Sequence, residues 1–521
     1  MAQIERTKNT ARNLIFGTML TMLQIFVPFV MRTVIIYILG VQYVGLDSLF
    51  YSILSVLNLA ELGVGTAMVF SMYRPIAEDD TVTICALMKL YRTYYRVIGL
   101  VIAVVGAVLT PFVPKLITGD VPTDINVYTL YLIYLGATVM SYWLFAYKSS
   151  ILQAYQRYDV ISKVLLVTTC LQYAVQFLVI WLFKNYYFYV LALLGAQVLT
   201  NIFTAICADR LYPQYKARGG LPRLEVSVIN GRIRDLVTAK IGDVIVGSSD
   251  AIVISAFLGL TQLAIYQNYY AVILAIISIE MILFKASLAG IGNSLVVETK
   301  EKNYNDLCIF TLIVCWITGV CSCCLLNLFQ PFMELWVGRE LMVEFPVVIC
   351  LVIYFYLFIF NQLLQTYKDS GGIWHTDRFR SLITAMVNLV LNLIMVQFWG
   401  LYGIILSTVL SMLVVGIPWL IQNLFTTMFE KKMLLPYIKK VVVYVIAGVL
   451  ACGATYYICS FVNVGLIPTL IIRLIVCAVV PNLIFLVIYF RMSDFWGALG
   501  FLNSMLHGKL NWLLSKKNRV K

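Results

Sequence analysis

Long apolar stretches separated by short polar breaks recur along the whole chain. In the first half they fall at 13–39, 45–72, 97–118, 127–148, 163–184 and 186–208; in the second half at 236–259, 261–293, 306–329, 346–367, 382–399 and 401–424. Two more follow, at 437–461 and 466–490. About 20 apolar residues carry a helix across the hydrocarbon core. The ten-residue alternation of outer-membrane barrel strands is not seen. The pattern therefore predicts an all-α integral membrane protein with about fourteen spans. The first stretch is too long for the apolar core of a signal peptide and lacks a small-residue cleavage site, so it is expected to remain as the first helix.

Composition sharpens this picture. Of 521 residues, 61% are hydrophobic and 12% are charged, where a soluble domain carries about 25% charged residues. With the N-terminus inside, basic residues crowd the inner segments, while the outer loops hold only Lys115, Lys184 and Arg339. The positive-inside rule then places both termini in the cytoplasm. The net charge of +13 reflects that topology and the anionic inner leaflet rather than nucleic acid. Cys321, Cys323 and Cys324 cluster inside an apolar helix, where free thiols behave as small hydrophobes, and the two histidines, His375 and His507, lie far apart in sequence. No metal or cofactor is implied.

The chain also repeats. Gly40 and Gly259, Tyr51 and Tyr270, and Glu61 and Glu280 are each 219 residues apart; Asp159 and Asp377 are 218 apart. Such a period covers six predicted helices, and an even number returns the chain to the same face, which implies parallel repeats. The expected organisation is an N-lobe at 1–208, a cytoplasmic linker at 209–235 and a C-lobe at 236–430. Two extra helices follow at 431–490, then a basic amphipathic tail at 491–521 lying on the inner membrane surface.

Charge at membrane depth is costly, so each charged residue inside a span is a candidate site. Arg32 lies in the outer part of the first helix and reads either as an interfacial anchor or as a guanidinium that grips phosphate bidentately. Asp47 follows a short glycine-flanked turn and is placed to pair with it. Glu61, sharing a face with Asn58, and its repeat mate Glu280 read as gating ion pairs or as ion sites; Lys285 is in the same helix as Glu280. Asp243 and Asp250 lie two turns apart on one face of the seventh helix and suggest a proton or cation site, with Asp250 the deeper. The amide pairs Gln172/Gln176, Gln197/Asn201 and Asn388/Asn392 read first as interhelical packing. Walker A, G-x-S-x-G and H-E-x-x-H motifs are absent, and no enzyme chemistry is indicated.

The runs GLDSLFYSILSVLNLAELGVGTAMVFSMYRPIAEDD, SSDAIVISAFLGLTQLAIYQNYYAVI and DRFRSLITAMVNLVLNLIMVQFWGLYGIILSTVLS resemble the polysaccharide-transporter flippases. These are members of the multidrug/oligosaccharidyl-lipid/polysaccharide exporter superfamily. The resemblance implies two six-helix lobes facing each other in a V plus two C-terminal helices. It also implies alternating access that carries an undecaprenyl-pyrophosphate-linked oligosaccharide to the outer leaflet of a bacterial plasma membrane. Arg32 and Asp47 take positions resembling an arginine and an aspartate of the lipid II flippase. Further arginines of that flippase's second helix are missing where this chain reads SVLNLAE, which favours a capsular, teichoic-type or other exopolysaccharide repeat. The implied partners are the lipid-linked oligosaccharide, H⁺ or Na⁺, a polysaccharide polymerase and glycosyltransferases. The rival readings are a cation-coupled drug antiporter of the same superfamily and a membrane-embedded glycosyltransferase or polymerase.

Overall fold

A computed structural model describes residues 6–119, 121–374 and 376–505. Among these residues every regular element is helical. The chain forms two compact units, 1–267 and 268–521.

In the first unit α1 (Arg6–Ile38) ends at Gly40, whose φ of 127° only glycine adopts freely. The next span is not one helix. α2 (Val41–Leu57) gives way to a single 3₁₀ turn, Asn58–Glu61, and after a left-handed Gly63 the chain re-enters α3 (Val64–Ala77). The sequence treats 45–72 as one span because its apolar run is unbroken, but the polar side chains of Asn58 and Glu61 find their partners at this break. Asp80 caps α4 (Thr81–Leu109) by accepting from the Thr83 amide and hydroxyl, and these bonds hold its carboxyl below the usual carboxylate range. α5 (Val127–Trp143) bends by 45° into the short segment containing α6 (Ser149–Ala154). The bend passes through Phe145, which has a positive φ of 57°. α7 (Tyr158–Phe183) and α8 (Tyr186–Leu211) pack against each other, and α7 also packs on α1.

Residues 212–222 are non-helical, and α9 (Arg223–Val297) takes up the second half of the predicted linker. Gly259 breaks α9 with φ 88° and ψ 175°. The unit boundary falls within α9, after Gln267, beyond the 209–235 segment where the sequence places it. The reason is close packing within the first unit. A Cβ at Gly45 would run into the Leu260 carbonyl, Leu236 sits against Gly63, and the Ser255 hydroxyl donates to Leu116 O at 2.7 Å.

In the second unit α10 (Lys300–Val337) is the central helix. α11 (Phe345–Ser370) packs on it and on α12 (Arg380–Ser411), which Gly400 breaks. α13 (Ile417–Thr427) follows a π-helical turn, Met412–Gly416. α14 (Leu434–Ser460) and α15 (Leu466–Tyr489) both lie on α10. α16 (Ser493–Met505), the start of the predicted surface tail, docks on α10 as well. Phe495 stacks on Trp316, and Asp494 accepts from Lys440 and Tyr444, both at 2.8 Å. The Lys-rich remainder of the tail lies outside the described residues.

The repeat is visible in backbone geometry. Gly40 and Gly259 occupy the same extended, positive-φ conformation at a helix–helix joint, and Gly119 and Gly338, also 219 apart, have φ 84° and 86°. Asp159 and Asp377 both sit at helix starts among basic residues. Asp159 meets Arg157 at 2.8 Å and Lys163 at 3.4 Å; Asp377 meets Arg380 at 2.9 Å and Lys368 at 3.4 Å. Arg157, just outside α7, is held above its ordinary range chiefly by its hydrogen bond to Asp159.

Among the described residues ten helices are long and apolar enough to cross a membrane, or eleven with the bent pair at 127–154. This is a multi-pass membrane protein. The fourteen expected spans are not separately resolved. Two pairs run together across Gly259 and Gly400, and Val41–Leu57 has only 17 residues. Large exposed apolar side chains such as Val104, Val108 and Phe398 give these helices an outer surface suited to lipid.

Candidate functional site

Within the first unit α1, α2, α5, α7 and α8 enclose a cavity of about 410 Å³. Arg32 from α1 and Asp47 from α2 line it together. They are electrostatic partners, as the Gly40 turn between their helices allows. Asp47 accepts a hydrogen bond from the Tyr134 hydroxyl, which lies 3.1 Å from the hydroxyl of Tyr186. Tyr186 in turn donates to the Tyr43 carbonyl at 3.3 Å, and Tyr43 donates from its own hydroxyl to Asp124 at 2.5 Å. The carboxylate is thus held from behind by a buried tyrosine cluster, while its charge faces the guanidinium.

The rest of the lining is uncharged, part apolar (Met31, Ile35, Val44, Leu54 and Leu193 among others) and part polar. The polar part includes Ser55, Asn58, Thr138, Ser141, Gln172, Tyr173, Gln176, Tyr189 and Gln197. Of the amide pairs read as packing, Gln172 does bond Gln176 at 3.3 Å, and Gln176 donates onward to Tyr189 O at 3.2 Å. Gln197, however, turns to the cavity while Asn201 bonds Ser141 O at 2.8 Å. Asn388 and Asn392 are wholly structural, bonded to each other at 3.4 Å, with Asn388 donating to Thr408 at 2.8 Å. A cavity with one guanidinium, one carboxylate and many uncharged donors and acceptors suits a polar ligand carrying an anionic group.

The remaining candidates lie elsewhere. Glu61, in the 3₁₀ turn just past the cavity-lining Asn58, accepts from Tyr95 at 2.6 Å and Tyr142 at 2.7 Å; Tyr142 also reaches Asn58 at 3.1 Å and Tyr95 is bonded to Tyr91 at 2.6 Å. Its partners among the described residues are tyrosine hydroxyls rather than a cation. Asp250 is buried in α9 beside Ser248 and Ser249, and Asp243, two turns earlier, is exposed. In the second unit Glu280 is buried, accepts from Thr318 at 3.1 Å, and leaves Oε1 with no hydrogen-bond partner among the described residues. Lys285 is exposed, as the turn of the helix between the two requires. Among the described residues no group of three or more His, Cys, Asp or Glu is arranged to hold a metal.

Sequence reasoning found Arg32 and Asp47 but missed the tyrosines. Tyr134, Tyr142, Tyr95, Tyr173 and Tyr189 carry the local chemistry around the acidic groups, and the only signal was a content of 33 tyrosines, which interfacial belts explain equally well.

No family profile and no characterised protein matches this chain in sequence. Solved structures do match its fold. The lipid II flippase MurJ in an inward closed conformation superposes with a TM-score of 0.66 at 14% identity, over 91% of this chain and 99% of that one. An inward-facing multidrug resistance MATE family transporter of the MOP superfamily gives 0.60 at 14% identity, over 82% and 99%. A point mutant of the Vibrio cholerae MATE transporter VcmN gives 0.52 at 16% identity, over 81% and 98%. The chain therefore has the fold of the MOP-superfamily transporters.

Proposed function

We propose that this protein is a flippase that moves a polyprenyl-pyrophosphate-linked oligosaccharide from the inner to the outer leaflet of a bacterial plasma membrane, for capsule or exopolysaccharide synthesis. The observation that carries this is the cavity in which Arg32 is the single cation, among the described residues, beside Asp47 and a set of uncharged polar groups. A pyrophosphate head cannot cross a layer about 30 Å thick without replacing its hydration. A guanidinium does so with paired, charge-assisted hydrogen bonds, and Asp47 keeps that guanidinium neutralised and oriented when no substrate is present. The prenyl tail stays in lipid.

In this reading the N-lobe (1–208) and C-lobe (236–430) alternate access and both termini are cytoplasmic. Glycosyltransferases act before the flippase in this reading, and a polymerase after it. Arg32→Ala should abolish surface polysaccharide while the protein still inserts, and Arg32→Lys should rescue in part because it keeps the charge without the fork. Wild-type export by Arg32→Ala would show that Arg32 is only an anchor.

Ion coupling is assigned to Asp250 with Asp243, and Glu61, Glu280 and Lys285 are assigned to coupling or gating. Asp250 is the one of the α9 pair withdrawn from solvent, where a carboxylate gains most by binding a proton or Na⁺. Asp250→Asn in vesicles should lose the dependence of transport on an ion gradient. A variant that responds to collapse of each gradient as wild type does would remove Asp250 from that role.

A further inference from the structure

Glu61 and Glu280 are repeat mates whose surroundings differ in one direction. The Glu61 carboxylate receives hydroxyl hydrogens from Tyr95 at 2.6 Å and Tyr142 at 2.7 Å, Tyr142 also reaches Asn58, and Tyr91 bonds Tyr95 behind it. A step of 219 residues, the one that separates Gly40 from Gly259 and Gly119 from Gly338, carries Asn58 to Ile277, Tyr91 to Phe310 and Tyr95 to Val314. Each of these polar neighbours in the first half has an apolar counterpart in the second.

Around Glu280 the second unit is built accordingly. Ile277 and Val314 are buried, and Phe284, one turn on from Glu280, meets the Phe310 ring edge-on at 6.1 Å. Glu280 itself is 8% exposed. It accepts from Thr318 at 3.1 Å, where the first half has Gly99, and its Oε1 has no hydrogen-bond partner among the described residues. Thr318 lies midway along α10. Among the described residues the titratable group beside the carboxyl is the Cys321 thiol of the same helix. Lys285 is exposed and about 140° further round α9. A charged carboxylate withdrawn from water needs several donors, and leaving an oxygen bare costs far more for an ion than for a neutral acid. A carboxylic acid needs fewer, since one oxygen carries the proton while the other accepts from Thr318.

We infer that Glu280 is a proton-binding carboxyl that holds its proton in the conformation described here, whereas Glu61 is a fixed hydrogen-bond hub. The inference deepens the coupling-or-gating role proposed for Glu280 and rests on the transporter reading. The ligand it names is H⁺ rather than a metal cation. A hard cation takes about six oxygen ligands, and one hydroxyl, one thiol and an apolar wall do not supply them.

The test is infrared spectroscopy of the full chain in lipid nanodiscs at neutral pH, with the glutamate carboxyl groups labelled with carbon-13. A protonated-carboxyl band that shifts with the label should be present in wild type, vanish in Glu280→Gln, and persist in Glu61→Gln and Asp250→Asn. Glu280→Asp should keep a protonated band that no longer responds to the label, which serves as the assignment if the glutamine variant does not insert. Because glutamine mimics the neutral acid, Glu280→Gln should melt at or above the wild-type temperature, while Glu61→Gln should melt below it. Absence of the labelled band in wild type, its survival in both Glu280 variants, or a marked loss of melting temperature in Glu280→Gln overturns the inference. Binding of undecaprenyl pyrophosphate, measured on the same nanodiscs, reports the Arg32 site separately. If wild type does not bind that lipid, the flippase reading falls whether or not the band is present.

Discussion

Asp47→Asn separates the two things the Asp47 carboxylate does. Asparagine keeps the volume and the oxygen that receives the Tyr134 hydroxyl, so only the charge facing Arg32 is removed. Two unit charges about 4 Å apart interact by roughly 4 kcal/mol at an effective dielectric near 20. Solvent-exposed pairs measure about 0–1 kcal/mol. Arg32 and Asp47 are half-buried and face an open cavity, so about 1–3 kcal/mol lies between those limits. In the wild type an anionic head must displace that interaction to reach the guanidinium. Removing the carboxylate's charge should therefore tighten undecaprenyl pyrophosphate binding by about tenfold or more. Export should fall even so, because release slows, and the melting temperature should drop as Arg32 loses its counter-charge. The assay is a binding isotherm in nanodiscs at fixed ionic strength, with thermal unfolding alongside and Asp47→Glu as a charge-conserving control. A variant that melts like wild type yet binds the pyrophosphate more weakly would refute the counter-ion role.

The repeat-related aspartates make a second comparison. Asp377 is buried with Arg380, Lys368 and Asn423; Lys368 keeps Asp369 at 3.0 Å, but Asp377→Ala strands the buried Arg380, so it should cost about 3–5 kcal/mol and most of the folded yield. Asp159→Ala should cost roughly 1–2 kcal/mol, because the partly exposed Arg157 and Lys163 can rehydrate; equal losses in detergent melting curves would contradict this. Gly45→Ala drives a methyl into the Leu260 carbonyl, and backbone cannot yield as a side chain does. About 1–3 kcal/mol of destabilisation is expected, whereas Gly136→Ala, with open space around it, should melt like wild type.

What the sequence made legible follows the physics of each signal. Apolar length read out the helices, since lipid imposes it directly, and the glycine-marked period announced a duplicated plan that Gly40 and Gly259 display in their backbone angles. Arg32 and Asp47 stood out because charge is rare in such surroundings. The break at Asn58–Glu61 was hidden because its neighbours are as apolar as any helix, and the tyrosines that hold Asp47 and Glu61 come from α4, α5 and α8. No local pattern connects residues so distant along the chain. The amides were noticed as pairs, but which of them packs and which faces the cavity depends on helix rotation, and that is set by neighbours rather than by spacing.

The paired glycines also locate a difference in length between the two halves of the chain. Gly40 to Gly119 and Gly259 to Gly338 are both 79 residues, so nothing has been gained or lost on balance between those joints since the halves diverged. From the second glycine to the repeat-related aspartate the count differs: 40 residues from Gly119 to Asp159, and 39 from Gly338 to Asp377. A one-residue net change therefore lies in the stretch that includes α5 and α6 in one half and α11 in the other. The first copy is bent and interrupted there, and the second runs as one 26-residue helix. The two halves differ in length and in shape in the segment where the first half lends Tyr134 and Tyr142 to its acidic groups.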